Sequence, residues 1–200
     1  IMANALDGMR VAILATDGFE LSELTEPKRA LEEAGADVDI LAPAKSSPSR
    51  QGSDCPDDEI QGFKHHQKSG RVRVDSVIAD ADPAEYDAVH LPGGVINADA
   101  IRIDKDAQRF VQAFATDKPL GVICHGGWLL VSSGLVKGRK LTSWPTLQDD
   151  LRNAGAQWED REVIRDKNWV SSRKPDDLPE FNRTLIEVIR EWASRTEAAA

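Results

Sequence analysis

The chain has 200 residues, a formal net charge of −9, 40% hydrophobic residues and 30% charged residues, the profile of one ordinary globular domain long enough to bury a core. The acidic balance disfavours nonspecific nucleic-acid binding, which needs a basic face. No apolar run approaches the roughly 20 residues of a membrane span, and two cysteines, Cys55 and Cys124, make no disulfide framework.

The opening stretch "IMANALDGMR" lacks an apolar signal region, so a cytoplasmic protein with reduced thiols is expected. Residues 1–8 read as a flexible N-terminus. Val11 to Ala15 form a continuous apolar run, the pattern of a buried strand in a parallel sheet. In "LSELTEPKRALEEAG", Leu21, Leu24, Ala30, Leu31 and Ala34 recur at helical spacing and Gly35 follows as a C-cap. "ADVDILAP" is a second strand, completing a parallel strand–helix–strand crossover. Residues 44–70 are rich in Ser, Pro, Gly, Asp and Gln and read as a loop or small excursion. "GRVRVDSVIAD" alternates, as one or two antiparallel edge strands would. "YDAVHLPGG" is a strand ending in a glycine pair, and "DKDAQRFVQAFATDK" an amphipathic helix. Residues 119–123 form a strand and 127–134 a helix ended by Gly134. A short strand "GRKLTS", a helix "TLQDDLRNAG", a hairpin around Asp166 to Asn168 and a last helix from "DLPEFNR" complete the chain, with 193–200 as a frayed tail. No internal repeat or linker divides it. Alternating β and α elements predict an α/β fold with a doubly wound, mainly parallel sheet.

In such sheets the ligand crevice lies outside the carboxyl ends of the strands. Three loops therefore open toward one edge: Asp17 to Glu20, Gly93 and Gly94, and Cys124 with His125. Cys124 at a strand-to-helix turn has the placement of a nucleophile elbow. Gly126 and Gly127 permit a sharp turn, and the helix start favours a thiolate. The alternative is a buried structural cysteine. His125 is a candidate acid or base, or simply a polar residue opening a helix. Glu20 is the expected carboxylate partner, with Asp17 and Glu23 as rivals; its other reading is a helix-start acid. The Gly93 and Gly94 amides can hold an oxyanion, or the pair is only a tight turn. Trp128, following the elbow, is placed to roof a pocket, whereas Trp144, Trp158 and Trp169 read as core or interface anchors. His65 and His66 read as surface loop and His90 as a packed strand residue. Without a GxGxxG, Walker or zinc-type CxxC sequence, no nucleotide, metal or other cofactor is expected.

"DGFELSEL", "YDAVHLPGG", "KPLGVICHGG", "GLVKGRKLTS" and the stretch from "DDLRNAG" to "PEFNR" together resemble the PfpI family. That family belongs to the superfamily of the Parkinson-associated deglycase and the class I glutamine amidotransferase-like domains. The resemblance covers about residues 9–192. It implies a flavodoxin-like three-layer sandwich and a homodimer, sometimes a hexamer. It implies that Cys124 is the reactive cysteine, that His125 completes the Cys-His pair, and that Glu20 is the acid hydrogen-bonded to the cysteine. Gly93 and Gly94 match the oxyanion site, with Gly126 and Trp128 beside it. Asp99 falls where members often carry an acid that reaches a neighbouring subunit's histidine. Two departures bear on substrate. The usual elbow is Cys-His-Gly-Pro, whereas Gly127 and Trp128 follow Gly126 here, and the glutamate of archaeal protease-type members is absent near Ala98–Asp99. The resemblance implies a stress-response hydrolase acting on small reactive carbonyls such as methylglyoxal adducts, or on peptides. The alternative is a redox-sensing stress protein or chaperone whose cysteine is oxidised.

Overall fold

The computed structural model describes residues 5–199. In chain order the elements are β1 (Arg10–Leu14), β2 (Phe19–Glu20), α1 (Leu21–Glu33), β3 (Asp37–Ala42), β4 (Glu59–Lys64), β5 (Gln67–Arg73), β6 (Ser76–Val77), β7 (Ala88–Leu91), α2 (Val95–Ile101), α3 (Lys105–Gln112), β8 (Leu120–Ile123), α4 (Gly127–Ser132), β9 (Lys140–Leu141), α5 (Gln148–Asn153), β10 (Gln157–Trp158), β11 (Val163–Asp166), β12 (Trp169–Ser172) and α6 (Leu178–Ala199). Seven strands form the main sheet in the order β11-β12-β8-β7-β1-β3-β6. All its pairings are parallel except β11 with β12. The fold is thus the three-layer α/β sandwich expected.

Period-two alternation divides the strand residues between two cores. Val11 and Ile13 of β1 pack with Leu24 and Leu31 of α1 and with Phe181 and Leu185 of α6. Ala12 and Leu14 face the other way, onto Phe110 of α3, Leu129 of α4 and Leu151 of α5. Each large side chain sealed there contributes about 1.5–3 kcal/mol. No helix among the described residues is long and apolar enough to cross a membrane.

Three segments differ from the sequence reading. Residues 59–73 are a β-hairpin, β4 with β5, which joins β2 in a separate three-stranded sheet. Polar composition hid it because β5 is exposed along nearly its whole length. The described part of the N-terminal segment is anchored: Leu6 is buried and its N–H donates to the Ala34 carbonyl at 2.8 Å. Residues 1–4 lie outside the described residues. At the other end α6 stays helical through Ala199. Both cysteines are free and buried.

One irregularity positions the site. Pro27 lies inside α1, and proline has no N–H to give the carbonyl four residues earlier. That carbonyl belongs to Glu23. His90 Nε2, on the buried strand β7, lies 2.7 Å from it. A carbonyl only accepts, so Nε2 carries the proton. His90 is fully buried and its ring lies 5.4 Å from that of Phe181. A proline in the helix and a histidine in the sheet therefore fix the backbone of Glu23 between them.

Replacing His90 by leucine leaves the Glu23 carbonyl unpaired, and stability in urea unfolding at pH 7 should fall by about 1–3 kcal/mol. Burial holds the His90 imidazole down at about 4. The unfolded chain takes up this proton at higher pH, so stability should fall as pH drops from the ordinary histidine range through 4. His125, also held at about 4 by burial, contributes in the same window. The leucine variant should keep the His125 share of that slope and lose the His90 share.

Candidate active site

Strand β8 is apolar and buried along its whole length, and it delivers Cys124 to the carboxyl edge of the main sheet. There the backbone turns sharply: Cys124 has φ 59°. This left-handed conformation costs a side-chain-bearing residue roughly 1–2 kcal/mol and persists only where the surroundings impose it. A short 3₁₀ turn over Cys124–Gly126 leads into α4. The strain sits on the cysteine itself. The two glycines expected to make the turn have ordinary negative φ, −53° at Gly126 and −59° at Gly127. Gly126 lies against the Leu91 carbonyl, which a Cβ would approach to 2.7 Å, and is not part of the cleft wall.

The carboxylate at Cys124 is Glu23, not Glu20. Glu23, in the first turn of α1, is wholly buried. Its Oε2 accepts from the Gly93 N–H at 2.9 Å, and the carboxyl also interacts with the Cys124 thiol. Its Oε1 is buried with no hydrogen-bond partner among the described residues. Glu20, one turn earlier, also lines the cleft but is bonded to the hairpin rather than to the thiol: its Oε2 accepts from the His65 N–H at 2.9 Å. Helix spacing explains the exchange. Glu23 shares the buried stripe of α1 with Pro27, Ala30 and Leu31, whereas Glu20 sits at the helix entrance.

Gly93 is accordingly occupied by Glu23. A Cβ on it would lie 2.4 Å from Glu23 Oε2 and 2.5 Å from Cys124 Cβ, so only glycine lets the acid and the thiol meet. Gly94, with φ 86°, turns its own N–H toward the thiol, as does His125. Asn97 on α2 escaped the sequence reading. Buried, it accepts from Thr16 N–H at 2.7 Å and donates to the carbonyls of Pro92 and Gly93 at 3.2 and 3.0 Å, tying the loops after β1 and β7 together. Only the run of helix-compatible residues after Gly94 could have revealed it.

His125 Nδ1 lies 3.1 Å from Cys124 Sγ. Its ring meets Trp128 edge-on at 5.3 Å and stacks near Trp144 at 6.2 Å. Trp128 does not roof the pocket. Its indole N–H donates to Asp150 at 2.8 Å and Arg102 lies over its ring. Trp144 takes that place in the cleft wall, and its backbone N–H donates to the Cys124 carbonyl at 3.1 Å. Asp99 is exposed on α2.

These groups surround a cleft of about 530 Å³. Cys124, His125 and Glu23 form its buried end. Val95 and Ile96 of α2 form one side, and Phe63, His65 and His66 of the hairpin another. His65 and His66 form the exposed turn of the hairpin, the surface loop expected, and also line the cleft.

Burial pushes the Cys124 thiol up, and the charge of Glu23 pushes it further; the Gly94 and His125 N–H groups pull against both. The expected lowering by a helix start is outweighed by this burial. Glu23 is pushed up to about 8, above all by burial. Two such neighbours lose protons as one unit. At neutral pH the unit is largely protonated, and removal of one proton gives either thiol with carboxylate or thiolate with carboxylic acid. His125, held at about 4 by burial, is a neutral imidazole at neutral pH.

Residues 9–188 match the family described as DJ-1/PfpI. The chain is 39% identical over 184 residues to "Deglycase TK1284" of Thermococcus kodakarensis, covering 91% of this chain and all of that protein. It is 37% identical over 182 residues to "Putative cysteine protease YraA" of Bacillus subtilis, covering 90% and 98%. In fold it is similar to Schizosaccharomyces pombe DJ-1, with a TM-score of 0.76 and 18% identity over 94% of this chain and 98% of that one. With a strand-end cysteine in a left-handed turn, and a sequence match running almost end to end, the chain belongs to the DJ-1/PfpI family.

Proposed function

We propose that the protein is a Cys124-dependent stress-response hydrolase acting on small reactive carbonyl compounds, methylglyoxal and its adducts among them. The observation that carries this reading is the buried Cys124–Glu23 pair at the end of a cleft of about 530 Å³. A relative named as a deglycase supports the substrate class; one named as a cysteine protease keeps peptides as the competing class. The cleft favours the smaller substrate, because Trp144 and the hairpin turn close over a thiol only 8% exposed.

The chemistry starts from the singly protonated pair. The thiolate attacks the carbonyl carbon, a C–S bond forms, and the C=O π pair moves onto oxygen. The N–H groups of Gly94 and His125 face that oxygen. Glu23 holds the proton removed from the thiol and returns it to the new alkoxide, giving a hemithioacetal. Gly93 serves the acid rather than the oxyanion. Neutral His125 orients the sulfur and is a weak base.

The ring of donors around Sγ supports a second reading, oxidation of Cys124 by two equivalents of peroxide, each reduced to water, to a sulfinate whose oxygens those donors would hold. Assembly follows from the exposed apolar residues Val95, Ile96 and Ile103 on and just after α2. Two copies pair through this surface in our reading, which sets Asp99 on the same helix near the partner.

Three outcomes are expected. Cys124→Ser should abolish loss of methylglyoxal followed by absorbance, and equal inertness of wild type and variant would sink the enzyme reading; a sulfinate mass after mild peroxide would then favour the sensor. Alkylation of Cys124 should rise with pH through about 8 as the pair loses its first proton, and Glu23→Gln should erase that inflection and lower kcat about 100-fold. Size-exclusion chromatography at micromolar concentration should give a dimer, and Ile96→Asp should shift it to monomer.

A further inference from the structure

The β4–β5 hairpin is a light element, outside the main sheet and exposed along most of β5. Its two-residue turn nevertheless places His65 and His66 in the wall of the Cys124 cleft. His65 has φ 56°, a left-handed conformation that favours glycine. A strained residue at the tip of an exposed hairpin needs an anchor. Glu20 supplies one: its Oε2 accepts from the His65 N–H at 2.9 Å. Glu20 is 9% exposed and its backbone pairs with Phe63 through β2 and β4. It occupies the residue before α1, and its side chain makes no capping bond to the helix. The carboxylate is turned to the hairpin instead.

We propose that Glu20 is a positioning residue that fixes the His65–His66 turn as a wall of the cleft and so limits the size of carbonyl compound that reaches Cys124. This rests on the reading of Cys124 as the reacting group. Without the anchor the hairpin tip moves outward. Bulky reagents then reach the thiol more easily, and small substrates are held less well.

Access is read directly by alkylating Cys124 with iodoacetamide and with a fluorescein maleimide, followed by peptide mass, which needs no turnover. Glu20→Ala should raise the bulky-to-small rate ratio at least fivefold. Glu20→Gln keeps an acceptor oxygen and should stay within twofold of wild type. With methylglyoxal, Glu20→Ala should raise KM several-fold and leave kcat within twofold. An unchanged ratio in Glu20→Ala, or equal shifts in both variants, would overturn the proposal. If Glu20→Ala does not fold, the double variant His65→Gly, His66→Gly removes the wall directly and should raise the ratio; no rise overturns the proposal. A shifted ratio in a protein inert toward methylglyoxal would retire the enzyme reading and leave the positioning role standing.

Discussion

A carboxyl group sealed beside a thiol is the constraint from which the rest of this structure follows. Burial disfavours the charged form of each group, so it raises both and they share their protons as one unit. Such a pair is costly unless its surroundings hold it in register. The Gly93 N–H takes one carboxyl oxygen. Asn97 holds the Gly93 carbonyl. His90 holds the backbone carbonyl of Glu23 that Pro27 leaves without a helical donor. The bonds from Gly93 and His90 to Glu23 join residues far apart in the sequence, so the pair is held by the tertiary fold.

The same logic explains the elbow. A left-handed cysteine is unfavourable by itself, and the main sheet overrides that preference by anchoring β8 between β7 and β12. The Cys124 carbonyl then accepts from Trp144, which draws the loop after β9 over the site. Strain at the nucleophile and closure of the cleft have one origin, the placement of the turn at the carboxyl edge of a rigid sheet.

Much of this was legible in the sequence. The apolar runs of β1, β7 and β8 marked the buried strands because strands covered on both faces need no polar side. The three loops at one edge followed from topology, and Cys124 with them. Glu20 reads as the acid because it ends the loop after β1, and Glu23, inside an amphipathic pattern, stands with Asp17 only as a rival. The signal was present: Glu23 falls on the stripe of Pro27, Ala30 and Leu31, where an acid has no business unless something receives it. Only the end of the hairpin could be read, from the alternation that starts at Gly70; the rest of β5 is polar and exposed, and β4 lies inside a polar, glycine-containing stretch that reads as loop. The exchange of Trp128 for Trp144 could not be read, because which indole faces the cleft depends on the long-range bonds of Trp128 to Asp150 and of Trp144 to the Cys124 carbonyl.

The two sheets divide the labour unequally. The thiol and the acid are carried by elements locked into the large sheet and its helices, whereas one wall of the cleft hangs on a small sheet whose outer strand touches little else. Drift in that outer strand has few packing consequences, so its sequence is free to change at little risk to folding. A lineage can then retune what enters the cleft while the reacting atoms stay where they are. Relatives of one fold bearing names as different as deglycase and cysteine protease are what such a division of parts would permit.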